Sequence, residues 1–180
     1  MTKIEFQKKL FPIAEEILKK FSIHPIITVV QSAHESNWGN SKLTELANNL
    51  FGYTASEKWL LSGEPILHMS TTEYSTYPPE KLHYWNRAGD IIDKVPYHGG
   101  SKLTVSVPFR KYETWDKSVL DWATNIATQS RYMEAYKCAK EGNLELYAQA
   151  IQKAGYATDP NYAQQLSIIG KFVLSQEELC

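Results

Sequence analysis

The segment Ile26 to Glu35 constrains this chain more than any other. Ile26, Ile27, Val29, Val30 and Ala33 fall on most sides of a helix. A helix that is apolar nearly all round has to be enclosed by other elements. Pro25, after His24, suits its first position, and Gly39 is a natural stop. The enclosing material is present as stripes at three- and four-residue steps. One is Leu10, Phe11, Ala14, Ile17, Leu18 and Phe21; another is Val119, Trp122, Ala123 and Ile126. A third is Leu144, Tyr147, Ala148 and Ile151, stopped by Gly155. The last is Tyr162, Leu166, Ile169, Phe172 and Val173, after the cap signal Thr158-Asp159-Pro160. Thr2 and Glu5 have capping-box spacing. Pro12 suits the first turn of the first helix or a break after a short one begun near Thr2. Ser41 can cap a short helix to Ala47.

From Asn48 to Tyr112 the helical period is lost. Leu67 to Tyr74 and Thr104 to Val107 read as strands. Pro78-Pro79, Gly89, Pro96 and Gly99-Gly100 between them read as loops and turns. Helices, a small β region, then helices again indicate an α+β fold. The 180 residues are the length of one domain. With 43% hydrophobic and 22% charged residues, one core is possible and wholesale disorder is excluded.

Composition narrows the function classes. The net charge of −1 lacks the basic excess of a nucleic-acid binder. No apolar run approaches the ~18 residues of a membrane span. Met1-Thr2-Lys3-Ile4-Glu5 does not read as a secretory signal. Two cysteines, Cys138 and Cys180, are too few for a disulfide framework or a cysteine-based zinc site. His24, His34, His68, His83 and His98 show no zinc-ligand spacing, and neither a phosphate loop nor a nucleophile elbow occurs. The expectation is no metal and no cofactor. Eleven tyrosines, five tryptophans and six phenylalanines supply rings with apolar bodies and, for Tyr and Trp, polar tips, which suit sugar recognition.

Glu35 is where chemistry is expected. It ends the apolar helix, so its carboxyl group emerges from the core at the negative end of the helix dipole. Desolvation and that dipole both favour the protonated form. A carboxylic acid kept protonated near neutral pH can protonate a leaving oxygen. His34, its neighbour, is expected to point off that face.

His34-Glu35-Ser36-Asn37-Trp38-Gly39 followed by Asn48-Asn49-Leu50-Phe51-Gly52 resembles glycoside hydrolase family 73, which includes peptidoglycan β-N-acetylglucosaminidases. Three more matches follow in order: Thr71-Thr72-Glu73-Tyr74, Phe109-Arg110-Lys111-Tyr112, and Gly155-Tyr156-Ala157-Thr158-Asp159-Pro160 with Tyr162 after it. The resemblance implies a lysozyme-like fold, in which a mainly helical lobe and a small β-hairpin lobe flank a glycan-binding groove. It implies Glu35 as general acid, Glu73 as the second carboxylate on a mobile element, and Tyr156 as the active-site tyrosine. It implies cleavage after N-acetylglucosamine. Inversion, double displacement and participation of the substrate's own acetamide stay open.

Around these, Asn49, Phe51, Tyr53, Trp59, Tyr74 and Tyr132 form the expected substrate-binding set. Asn49 can bond either the loop backbone or a sugar acetamide. Trp38 is expected to wedge the acid's helix against the core. Residues 78–102, with Tyr84, Trp85 and Tyr97, read as an insertion into the β-hairpin region of a single domain. The expected partner is a bacterial peptidoglycan strand, met by a monomer in the periplasm or on the cell wall, with neither nucleic acid nor membrane. Export by a holin or a secretion machine fits that setting, the latter with an immunity protein as a further partner. A lytic transglycosylase or muramidase on the same fold, and a silent wall-binding module, are the alternatives.

Overall fold

The computed structural model describes residues 1–81 and 90–177. His83, Tyr84, Trp85, Gly89 and Cys180 lie outside them. In chain order the elements are α1 (Lys3–Phe21), α2 (Pro25–Glu35), α3 (Lys42–Ala47), α4 (Glu57–Leu61), β1 (Ile66–Ser75), β2 (Asp90–Tyr97), β3 (Gly100–Arg110), α5 (Trp115–Thr128), α6 (Met133–Lys140), α7 (Leu144–Lys153) and α8 (Tyr162–Glu177). They form two compact units, Met1–Phe51 with the chain from Glu113 onward, and Gly52–Tyr112.

The first unit is helical and is organised around α2. Its residues from Pro25 to Ala33 are all buried, and α1, α7 and α8 pack against it. Each fully buried aliphatic, such as Ile27, Val29 or Val30, contributes roughly 1.5–3 kcal/mol from leaving water. The His24 side chain caps α2 by accepting from the Ile26 amide. Thr2 caps α1 through the expected reciprocal pair with Glu5, at 3.2 and 2.7 Å. Pro12 neither starts nor breaks α1, which runs through it. Pro12 and Lys8 are both exposed, so the Lys8 carbonyl that loses its donor can be satisfied by water. α6 was not signalled by a stripe, because it buries only the small Ala135 and Ala139.

The turn after α2 is tight. Asn37, Trp38 and Gly39 take φ of +50°, +57° and +74° in succession. Left-handed backbone is costly for residues with a Cβ, and local bonds hold it here. The Trp38 amide donates to the Ala33 carbonyl at 2.8 Å. Ser36 Oγ donates to the Ser32 carbonyl at 2.6 Å and accepts from the Gly39 amide at 2.8 Å. The Trp38 ring then meets Phe6 and Phe172 edge-on, at 5.8 and 5.5 Å between centroids. It is the wedge the sequence led us to expect.

The second unit is a three-stranded antiparallel sheet in the order β1-β3-β2, with α4 before it. β1 and β3 are the two expected strands, both longer than their alternation showed. β2 corrects the reading of this stretch as loop alone. Its residues are nearly all exposed and include Pro96, so it has no inward alternation to read. As an edge strand it tolerates a residue without an N–H. It joins β3 through His98 and Gly99, both at positive φ, the signature of a type I′ hairpin turn. The inner face carries Leu103, Val105 and Val107, packed with Ile91 and Phe109. The start of the unit is tied to β3: the Ala55 amide donates to the Pro108 carbonyl at 2.8 Å, and the Arg110 amide to the Tyr53 carbonyl at 2.9 Å.

Gly39 needs its missing side chain twice over, since a Cβ there would lie 2.8 Å from Trp115 and 3.0 Å from Phe6. Gly155 has a similar φ of +72° and open space around it. Gly39→Ala is therefore expected to cost about 2–4 kcal/mol in urea unfolding, from backbone strain plus overpacking. Gly155→Ala is expected to cost about 1 kcal/mol. Equal losses would show that the contact with Trp115 and Phe6 carries no weight.

Candidate active site

Glu35 is the last residue of α2, and it follows nine consecutive buried residues and the half-buried His34. Burial pushes its carboxyl group up to about 7 from the ordinary 4.5, against the pull of a hydrogen bond from Tyr162. Tyr162 Oη donates to Glu35 Oε1 at 2.5 Å. Tyr162 is 2% exposed. Burial, with the neighbouring Glu35 carboxylate, holds its hydroxyl far above the usual tyrosine range, so it stays protonated and can only serve Glu35 as a neutral donor. Behind it, Gln31 Nε2 donates to Tyr162 Oη at 3.0 Å.

The sequence reading places Tyr162 in the hydrophobic stripe of α8 and at the end of the last motif match, and gives it no role. It belongs to that stripe, but its hydroxyl reaches the acid. His34 likewise does more than point away: its ring meets the Tyr162 ring edge-on at 5.1 Å. Burial lowers the His34 pKa, opposed by the Asp159 carboxylate, which favours a neutral imidazole beside the acid.

Tyr156 follows the Gly155 turn, half-buried, with its ring 5.9 Å from the rings of both Tyr162 and Tyr132. The structure thus brings Glu35, Tyr162, Tyr156 and Tyr132 into one aromatic-walled neighbourhood. Tyr132 is 3% exposed, and burial raises its hydroxyl pKa against the Arg131 charge. Asn49 and Phe51, expected to touch substrate, are 1% and 4% exposed. Phe51 lies flat on Trp122 at 5.0 Å with 5° between planes. Asn49, Phe51 and Tyr132 thus leave little surface exposed.

The remaining residues lie in the second unit. Glu73 stands half-buried on β1 directly opposite Leu103, on the apolar face of the sheet. Thr71, two residues earlier on that face, has a buried hydroxyl without a hydrogen-bond partner. Tyr74 points to the opposite face, 58% exposed, with its ring 5.1 Å from that of Tyr97. Trp59 donates from Nε1 to the Pro65 carbonyl at 3.1 Å. The Arg110 guanidinium lies 4.9 Å from its ring and 5.3 Å from that of Tyr53. Among the described residues, no group of three or more His, Cys, Asp or Glu side chains could hold a metal ion.

The raised Glu35 pKa is also a statement about stability. The group ionises near 4.5 when unfolded and near 7 when folded, so the native state loses stability as pH rises between those values. The loss levels off above pH 7, on the order of 3 kcal/mol. Glu35→Gln cannot ionise and keeps an oxygen for Tyr162. Its melting temperature is expected to match the parent's near pH 4.5 and exceed it at pH 8. A variant no more stable than the parent at pH 8 would contradict the burial of this charge.

Comparison with known proteins gives the lineage. Residues 11–172 match the family model for glucosaminidase, described as mannosyl-glycoprotein endo-beta-N-acetylglucosaminidase. The chain is 32% identical over 166 residues to the exo-glucosaminidase LytG of Bacillus subtilis, covering 91% of this chain and 49% of that protein. It is 27% identical over 171 residues to the peptidoglycan hydrolase FlgJ of Pseudomonas aeruginosa, covering 93% of this chain and 36% of that one. The chain thus spans half or less of the length of these relatives. Among solved structures, a C-terminally truncated glycoside hydrolase domain of Salmonella typhimurium FlgJ superposes with a TM-score of 0.68 at 26% identity, covering 97% of this chain and 99% of that one. The α+β fold is accordingly of the lysozyme-like kind, and with the family model matched across residues 11–172 the chain belongs to the glucosaminidase family.

Proposed function

We propose that this chain is a glycoside hydrolase that cuts the β-1,4 bond after N-acetylglucosamine in bacterial peptidoglycan, with Glu35 as general acid. The observation that carries this reading is the Glu35 carboxyl group, pushed up to about 7 by burial and bonded to Tyr162. An acid with its pKa near neutrality is protonated when needed and still a ready donor. Glycosidic cleavage asks for such a group at the bridging oxygen. The relatives named above as glucosaminidase and peptidoglycan hydrolase support the choice of substrate.

Glu73 is the proposed second carboxylate, steadying the positive charge that develops at the sugar carbon or directing a water to it. Tyr156 is proposed to flank the reacting sugar from the aromatic wall. Trp59, Tyr53 and Tyr74 are the proposed stacking surfaces. Of the expected set, these three keep a ring at least partly exposed.

Residues 78–102 are proposed as an addition to a single catalytic domain; β2, within this range, extends the sheet. The substrate lies outside the cytoplasmic membrane, so the proposed place of action is the periplasm or the cell wall. None of the described helices is long and apolar enough to cross a membrane. We further propose that the chain works as a monomer, and that delivery by a secretion machine would call for an immunity protein in the producing cell.

Purified peptidoglycan should yield new reducing N-acetylglucosamine ends, seen by reducing-sugar assay and mass spectrometry of the fragments. The rate should fall as pH rises through 7, because Glu35 loses its proton there. Glu35→Gln should lose ~10²–10⁴-fold in turnover while staying folded. Glu73→Gln should lose less, since a water or the substrate's acetamide can partly replace it. Anhydro-muramic ends would mark a transglycosylase instead, and a folded Glu35→Gln protein with normal turnover would overturn the assignment of the acid.

A further inference from the structure

Gln31 is fully buried on α2, one helical turn before Glu35. Two groups donate to its Oε1, Trp122 Nε1 at 3.1 Å and the Tyr147 hydroxyl. An indole N–H has no acceptor capacity, so the amide atom facing Trp122 must be oxygen, which fixes which way the amide lies. Its nitrogen is thereby turned to Tyr162, to which it donates at 3.0 Å. An amide N–H₂ cannot accept. Of the two groups bonded to Tyr162 Oη, only Glu35 Oε1 can take the hydroxyl proton. In a buried site, leaving that proton without an acceptor is strongly disfavoured.

Taking the acid role of Glu35 proposed above, we infer that Gln31, oriented by Trp122 and Tyr147, is a positioning residue that makes Tyr162 a one-way donor to Glu35 Oε1 and so places the acid proton on Oε2. The reasoning is one of occupancy. Oε1 receives a hydrogen bond whether Glu35 is ionised or neutral, so the neutral form carries its proton on the other oxygen. That oxygen is then the one that delivers it. Without Gln31 the Tyr162 hydroxyl can turn and accept from Glu35 instead, which would draw the proton onto Oε1 and away from a substrate.

Other titratable groups in this neighbourhood do not compete for the bond. His34 on α2 and Tyr156 after α7 meet the ring of Tyr162. Tyr147 on α7 is engaged with Gln31. Asp159, before α8, bonds the Asn161 amide and Gln165 Nε2, at 2.8 Å each.

Two measurements test this. A neutron structure of the deuterated wild-type protein below pH 7 should show deuterium from Tyr162 directed at Glu35 Oε1, the Gln31 ND₂ group facing Tyr162, and a deuteron on Glu35 Oε2. Deuterium on Glu35 Oε1, or a Gln31 amide turned the other way, would overturn the inference. This readout needs no turnover, so it stands apart from any failure to cleave glycan. The second is a kinetic cycle of Gln31→Met, Tyr162→Phe and the pair. Gln31→Met should lower kcat about tenfold, the worth of one hydrogen bond, with KM within about twofold. It should move the alkaline limb of the pH–rate profile upward, because the bond from Tyr162 favours ionised Glu35. The pair should be no slower, and its limb no further shifted, than Tyr162→Phe alone. Additive losses, or an unmoved limb in Gln31→Met, would make Gln31 merely structural. If Gln31→Met does not fold, the neutron structure decides.

Discussion

Everything in this site depends on taking a carboxyl group out of water at the end of a helix that has no exposed apolar side. The apolar sequence of α2 forces α1, α7 and α8 to close around it. That enclosure removes the solvent that would otherwise keep Glu35 ionised. Hydrogen bonding opposes burial here: the Tyr162 bond pulls the pKa down while desolvation pushes it up, and desolvation prevails. A carboxyl group poised near neutrality results, rather than one locked in either state.

The same core supplies the polar support. Trp122, Gln31, Tyr147 and Tyr162 come from four different helices, α5, α2, α7 and α8, and converge on one buried hydrogen-bonded chain. In a low-dielectric interior such a chain is strong when every member is satisfied and costly when one is lost. It therefore fixes the helices around α2 while it orients the acid. The strained turn at Asn37, Trp38 and Gly39 serves the same end. It stops α2 at Glu35 and anchors the chain beyond it between Phe6 and Phe172.

Much of this is legible in the sequence. The all-round apolar helix, the acid at its end, the stop at Gly39 and the last helical stripe follow from periodicity and from residues with special backbone preferences. Polar direction was not legible. A stripe reports that Tyr162 is buried, but not where its hydroxyl goes, because that depends on a residue 127 positions away. Gln31 lies within the apolar segment, where a buried amide among aliphatics is itself a request for partners, but periodicity does not name them. Nor does sequence proximity report exposure: Asn49 and Phe51 follow the acid motif closely, and both are buried. In the β unit, β2 is not legible because an exposed edge strand with a proline has no alternation to read.

The central claim is that folding leaves Glu35 neutral near physiological pH. It is tested most directly by following the side-chain carboxyl carbon of Glu35 by ¹³C NMR as pH is raised in the wild-type protein, with Glu35→Gln assigning the resonance. The account predicts a midpoint near 7. A midpoint near 4.5, the ordinary value for a glutamate, would contradict it.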